Sequence, residues 1–187
     1  MELLLTAILV GLFVVFIRGG RLSGFKLRAI WLVFGGTLLQ LFVLNLPPAS
    51  VSDYLVGIGL VTSQLLLLIF AGLNQSRPGF WLLILGLGLN FLVILLNGGL
   101  MPISPELAAK LSPGTTLEMG QRFGQSKDIV LSTHITRFEW LSDRFFVSTG
   151  INQIAFSLGD VLIAFGAFWA TQALGISKLQ NTQELTV

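Results

Sequence analysis

Five apolar runs, four of them each about as long as a bilayer is thick, constrain this chain more than any other feature. They cover residues 3–17, 29–46, 54–73, 80–100 and 151–176 and carry almost no charge. A hydrocarbon core of about 30 Å takes roughly 20 apolar residues per helical crossing. In lipid the backbone must satisfy its own polar groups, so only helices and closed barrels cross. Unbroken apolar runs are not the alternating pattern of a barrel strand. The composition agrees, since only 11% of the 187 residues are charged, against roughly 25% in a soluble domain. The expectation is one all-α domain, a transmembrane bundle of about five spans.

The first run is short and closes at Arg18. Glu2 stands where a signal peptide would be basic, and no small-x-small cleavage site follows, so a retained helix is expected. Pro47-Pro48 stops the second run, the turn NQSRPG (74–79) separates the third from the fourth, and Pro102 and Pro105 follow the fourth. Arg18, Arg21, Lys26 and Arg28 lie between the first two runs, Arg77 between the third and fourth, and Lys178 after the fifth. Short loops rich in Lys and Arg stay in the cytoplasm. That rule puts the N-terminus outside and the C-terminus inside a bacterial cytoplasmic membrane, with the loop 101–150 on the outer face. Positive-inside topology also accounts for the basic pI of about 9.4, so nucleic acid is not an expected partner. Gly19-Gly20 between Arg18 and Arg21 would also suit a phosphate or lipid headgroup.

Within the outer loop, Leu131, Ile135, Phe138, Ser142 and Phe145 recur at three- and four-residue steps. This spacing predicts an amphipathic helix over 127–146, lying on the bilayer or the bundle.

Chemistry is sparse. With no cysteine, disulfides, thiolate metal sites and cysteine nucleophiles are excluded. The lone His134 could ligate a pigment or shuttle protons, but a packing role is commoner and it cannot build a multi-histidine metal site. No metal and no cofactor is assigned. Asp160 stands out, because apolar sequence flanks it on both sides, roughly 13 Å into a helix that begins near residue 151. An ionisable residue at such depth is a site candidate by default; the alternative is a hydrogen bond that fixes packing.

Asn90 and Asn97 share one face of the fourth run, and Asn97 opens the stretch Asn97-Gly98-Gly99, whose glycines admit a close neighbour. Gln40, Asn45 and Gln64 add polar groups to the second and third runs. Interhelical hydrogen bonds of this kind average only about 0.6 kcal/mol, which favours packing roles. Asp143, beside Arg144, could supply a second carboxylate at the outer face, or simply pair with Arg144 or Arg137. Two carboxylates that share a proton can act as acid and base. Their order along the chain is similar to that in intramembrane lipoprotein signal peptidases, which have four spans and fuller motifs. Gly159, Gly166 and Ala173 recur every seven residues with Ala155 and Ala170 beside them, a seam for close helix packing.

The stretches NGGLMPIS (97–104), HITRFEWLSD (134–143) and FSLGDVLIAFG (156–166), with GGRL at 19–22, resemble a family of small bacterial multi-pass membrane proteins of unknown function. The resemblance implies a membrane bundle and carries over no chemistry. Two functional readings follow. One is a non-catalytic accessory or scaffold subunit of a larger membrane complex, in contact with the lipid bilayer and with other subunits through the fifth helix. The alternative is an enzyme using Asp160 and Asp143 on a lipid or peptide at the outer face.

Overall fold

The computed structural model describes residues 2–18, 21–22, 27–46, 51–116, 118–148 and 153–176. The Gly19-Gly20 pair, Lys26, Pro47-Pro48, the predicted start of the fifth span at Ile151, and Lys178 lie outside them.

Five apolar helices dominate: α1 (Glu2–Ile17), α2 (Trp31–Leu44), α3 (Asp53–Leu73), α4 (Phe80–Leu96) and α6 (Leu158–Leu174). A short helix, α5 (Pro105–Leu111), lies in the loop between α4 and α6. By length and composition one helix, α3 with 21 residues, is enough to cross a membrane; the other four apolar helices are shorter. The apolar helices alternate in direction. At one end, β1 (Arg21–Leu22) pairs antiparallel with β6 (Gly175–Ile176), so α1 and α6 finish together. At that end Asn74 accepts from Arg28 N at 2.8 Å and donates to Arg28 O at 3.0 Å, tying the start of α2 to the end of α3. The loop covers the opposite end, where α1, α3 and α6 begin and α2 and α4 finish.

α6 lies between α1 and α4, while α3 joins α4 to α2. Glycines set the closest approach. A Cβ on Gly86 would lie 2.6 Å from Gly159 O, and one on Gly166 would lie 2.8 Å from Gly79 O. The small-residue seam of Gly159, Gly166 and Ala170 is therefore filled by α4 of the same chain, and Ala173 continues it along α6. Gly11 packs on Thr171, and Gln172 Nε2 donates to Gly11 O at 2.9 Å, which fastens α1 to α6. Between helices the core comprises Val43, Val56, Leu60 and Leu100, and, nearer α6, Ala71, Phe80, Leu87 and Ile163. Large apolar side chains such as Phe13, Phe34, Trp81 and Phe165 face outward.

Three expectations need correction. The fourth helix ends at Leu96, because Gly98 and Gly99 take positive φ (78° and 90°) and Gly99 N donates to Ile94 O at 2.8 Å, closing the helix with a left-handed cap. The last helix begins at Leu158, and residues 153–156 form β5 (Gln153–Phe156), antiparallel to β4 (Phe145–Ser148). Ala155 therefore sits on a strand and is not part of the helical seam.

No amphipathic helix forms over 127–146. That segment holds β3 (Asp128–Val130), a turn about Ser132, a 3-10 turn (Glu139–Leu141) and the start of β4. Leu131 N donates to Ile103 O at 3.1 Å, Ile135 N and Thr136 N both close onto Ser132 O, and Phe138 has φ 54°. The helical spacing was incidental: Ile135 and Phe138 are exposed while Leu141 is buried.

Candidate functional site

The loop's centre is β2 (Met101–Ile103), the MPI of the NGGLMPIS stretch. It runs parallel to β3, with Met101 opposite Asp128 and Ile103 opposite Val130. On its other edge Asp143 N donates to Pro102 O at 3.2 Å, and Ile103 bridges to Asp143. Met101 N donates to Lys127 O at 3.0 Å. One short strand thus carries Lys127 on one side and Asp143 on the other.

Asp160 reaches the same place from the bundle. It lies in the first turn of α6 and not, as its place in the apolar run predicts, roughly 13 Å into a helix. Asp160 N donates to Ser157 Oγ and Ser157 N to Asp160 Oδ2, both at 3.1 Å. This reciprocal pair is a capping box, here with Asp in the third helical position. Its negative charge also suits the positive end of the helix. Asn90 completes it, donating through Nδ2 to Asp160 Oδ1 and accepting from Ser157 Oγ, both at 2.9 Å.

Lys127 joins the two aspartates. Its Nζ is 3.1 Å from Asp143 Oδ2 and 3.6 Å from Asp160 Oδ2. Asp143 is 1% exposed, and its Oδ1 has no hydrogen-bond partner among the described residues. Beside them Asp128 accepts from the Ser126 hydroxyl. One ammonium therefore faces three carboxylates, and the surplus negative charge needs a proton. Burial, opposed by Lys127, pushes Asp143 up to about 8. Burial disfavours the Lys127 ammonium, but the carboxylates of Asp143, Asp160 and Asp128 outweigh it and hold it above its ordinary value. Among the described residues no group of three or more His, Asp or Glu is placed to hold a metal ion. Lys127 itself fills the centre of the cluster.

These side chains line a cavity of about 420 Å³ with Gln40 and Leu44 of α2, Leu4 of α1, and Ile154 and Phe156 of β5.

Sequence reasoning found Asp143, Asp160 and Asn90, and the structure gathers all three. Asn97 and the glycines after it lie elsewhere. Asn97 donates to Arg137 O at 3.0 Å and accepts from Arg137 N at 2.9 Å, pinning the loop to the end of α4. A Cβ on Gly57 would lie 2.7 Å from Gly98 O, so the pair Gly98-Gly99 packs against α3. His134 is exposed, outside the cluster. Asp143 pairs with neither Arg144 nor Arg137; Arg144 lies 3.9 Å from Glu139. Lys127 and Ser157 were missed. Ser157-Leu158-Gly159-Asp160 has the spacing of a capping box and could have been read as one. Nothing local marks Lys127.

A mostly helical protein with apolar helices and a folded loop that holds a half-buried lysine between aspartates defines the class. The chain belongs to the family of unknown function DUF5317, whose model matches residues 24–172. The matched residues include the three stretches from 97 to 166 that carried the resemblance but not GGRL at 19–22. No curated protein and no solved structure matches.

Proposed function

We propose that this is a five-span protein of the bacterial cytoplasmic membrane, N-terminus outside, whose capped outer end binds a ligand as a non-catalytic accessory component of a membrane complex. Helix alternation and the outward apolar side chains support the spans, since contiguous exposed apolar surface of this extent is unusual on a soluble monomer. Helices shorter than 18 residues can be accommodated by local thinning and by snorkelling flanking residues. The observation that carries the binding reading is Lys127 between Asp143 and Asp160 in the wall of a cavity of about 420 Å³.

The same geometry argues against hydrolysis. Asp160 is committed to Asn90, Ser157 and Lys127, and a lysine held protonated is no general base. An aspartate-dependent enzyme is the second reading on one observation: Asp143, raised to about 8 and in the cavity wall, could donate a proton.

Native mass spectrometry of the protein extracted in mild detergent tests the proposal. A stoichiometric small molecule, lost in Lys127→Gln, is expected; a preparation with neither ligand nor partner subunit overturns it. Topology is tested separately, since the cysteine-free chain accepts single cysteines. Thr115→Cys should react with an impermeant maleimide on intact spheroplasts and Ser76→Cys only after permeabilisation. The reverse pattern overturns the orientation.

A further inference from the structure

A second cavity, of about 250 Å³, opens beneath the charged one. α4 forms its floor through Phe80, Leu83 and Leu87, with α1 and α6 on one side and α2 and α3 on the other. Its wall is apolar apart from Thr171, whose hydroxyl already donates to Phe168 O at 2.7 Å. A polar ligand would lose its hydrogen bonds there with nothing in return. The two cavities share Leu4 and Ile163, so the charged chamber and the apolar groove meet at one point. Together they have the size of a small-molecule site, roughly 300–1,000 Å³, with the few polar groups at one end that fix orientation.

The charges select the head. Even with Asp143 holding a proton, the carboxylates of Asp128 and Asp160 outnumber the Lys127 ammonium, so an anionic head would enter a region already in negative surplus. A cationic head would compete with Lys127 for the same carboxylates. A hydroxyl meets both needs, since it can donate to or accept from the Asp143 carboxyl in the cavity wall and accept from the Lys127 ammonium.

We infer that the cleft between α1 and α2 binds an amphiphile with a neutral, hydroxyl-bearing head and a single hydrocarbon chain. The head lies at Lys127 and Asp143 and the chain runs past Ile163 toward Ala170. This deepens the proposed function and rests on the outer chamber being a ligand site.

The test uses the full chain in phosphatidylcholine nanodiscs with a monoacylglycerol carrying a diazirine in mid-chain. Photolabelled peptides should come from the groove, at Val33, Leu83 and Ala167. Unlabelled monoacylglycerol should suppress labelling at least tenfold more effectively than lysophosphatidate. Ala167→Trp, which fills the groove, should abolish labelling. Should that variant not fold, Lys127→Gln with Asp143→Asn should weaken competition by monoacylglycerol at least tenfold. Labelling confined to the outward faces bearing Phe13 and Phe34, or equal competition by lysophosphatidate, overturns the inference. A polar solute found by mass spectrometry without groove labelling overturns the amphiphile but leaves the outer chamber as a binding site. Finding neither overturns both.

Discussion

Two charged contacts fasten the loop between α4 and α6 to the helices, and they are built differently. At α3, Arg122 reaches Asp53 at 3.7 Å and donates to Leu46 O at 3.1 Å, while Asp53 stays 38% exposed. At α6, Lys127 meets Asp143 and Asp160 with the first of these sealed from solvent. Water reaches the Asp53 side of the first contact, although the Arg122 side chain is itself only 2% exposed, so the attraction is screened from one side and contributes about 1 kcal/mol. In the second Asp143 is desolvated while Lys127 and Asp160 keep about a fifth of their surface (20% and 19%), so the contact adds little net stability but is costly to break, because removing Lys127 leaves a buried carboxyl without its cation. The α3 contact is a fastening. The α6 contact is one that folding tolerates, and it lines a cavity, which fits a site better than a brace.

Lys127→Met breaks the contrast most severely. It leaves the carboxylates without their cation, and a loss of about 3–5 kcal/mol is expected, seen as a fall of roughly 10 °C in detergent melting at pH 8. Acidification to pH 5 should restore much of it, because the folded variant keeps Asp143 protonated and the unfolded chain releases that proton less readily there. A melting temperature equal to wild type at pH 8 would show that the cluster matters no more than the water-screened Arg122–Asp53 contact.

The wild type should show the same chemistry more mildly. Asp143 is raised from its ordinary value of 3.8 to about 8. The folded chain therefore holds a proton that the unfolded chain releases, and its stabilisation is complete below the ordinary value and lost as pH rises toward 8. Melting should fall by roughly 5 °C across that window, and Asp143→Asn should flatten the profile. A wild-type profile as flat as the variant's would show that Asp143 is ionised throughout.

Gly86→Ala separates the two contacts. Its Cβ would lie 2.6 Å from Gly159 O, forcing the start of α6 away from α4 and Asp160 away from Lys127, while Arg122 and Asp53 are untouched. A cost of about 1–3 kcal/mol is expected from overpacking, together with loss of ligand in native mass spectrometry. Ser157→Ala removes one hydroxyl of the capping box and should cost about 1 kcal/mol by melting. Smallest is Asp53→Asn, expected within about 1 kcal/mol and without effect on ligand retention. A larger loss there would place the two contacts on an equal footing.

The helices were legible because burial in lipid or in a bundle demands the same thing of every position in a run. Their ends were less so: Leu96 is an end because Gly98 and Gly99 turn the backbone, although the apolar run continues through Leu100. Asp160 and Asn90 were legible as polar residues in apolar surroundings. The loop was misread because Leu131, Ile135 and Phe138 fall at helical spacing, whereas the parallel pairing of β2 with β3 governs the backbone there.

By itself, then, the sequence determined the apolar helices, the small-residue seam on the last of them, and the carboxylates that need an explanation. Only the tertiary structure decided that α4 occupies the seam and that Lys127 meets two aspartates lying sixteen and thirty-three residues further along the chain. Helix formation is written in neighbouring residues through hydropathy and local hydrogen bonds. A salt bridge across a cavity depends on where distant segments come to rest, and one exposed-looking lysine in a loop carries no local trace of that.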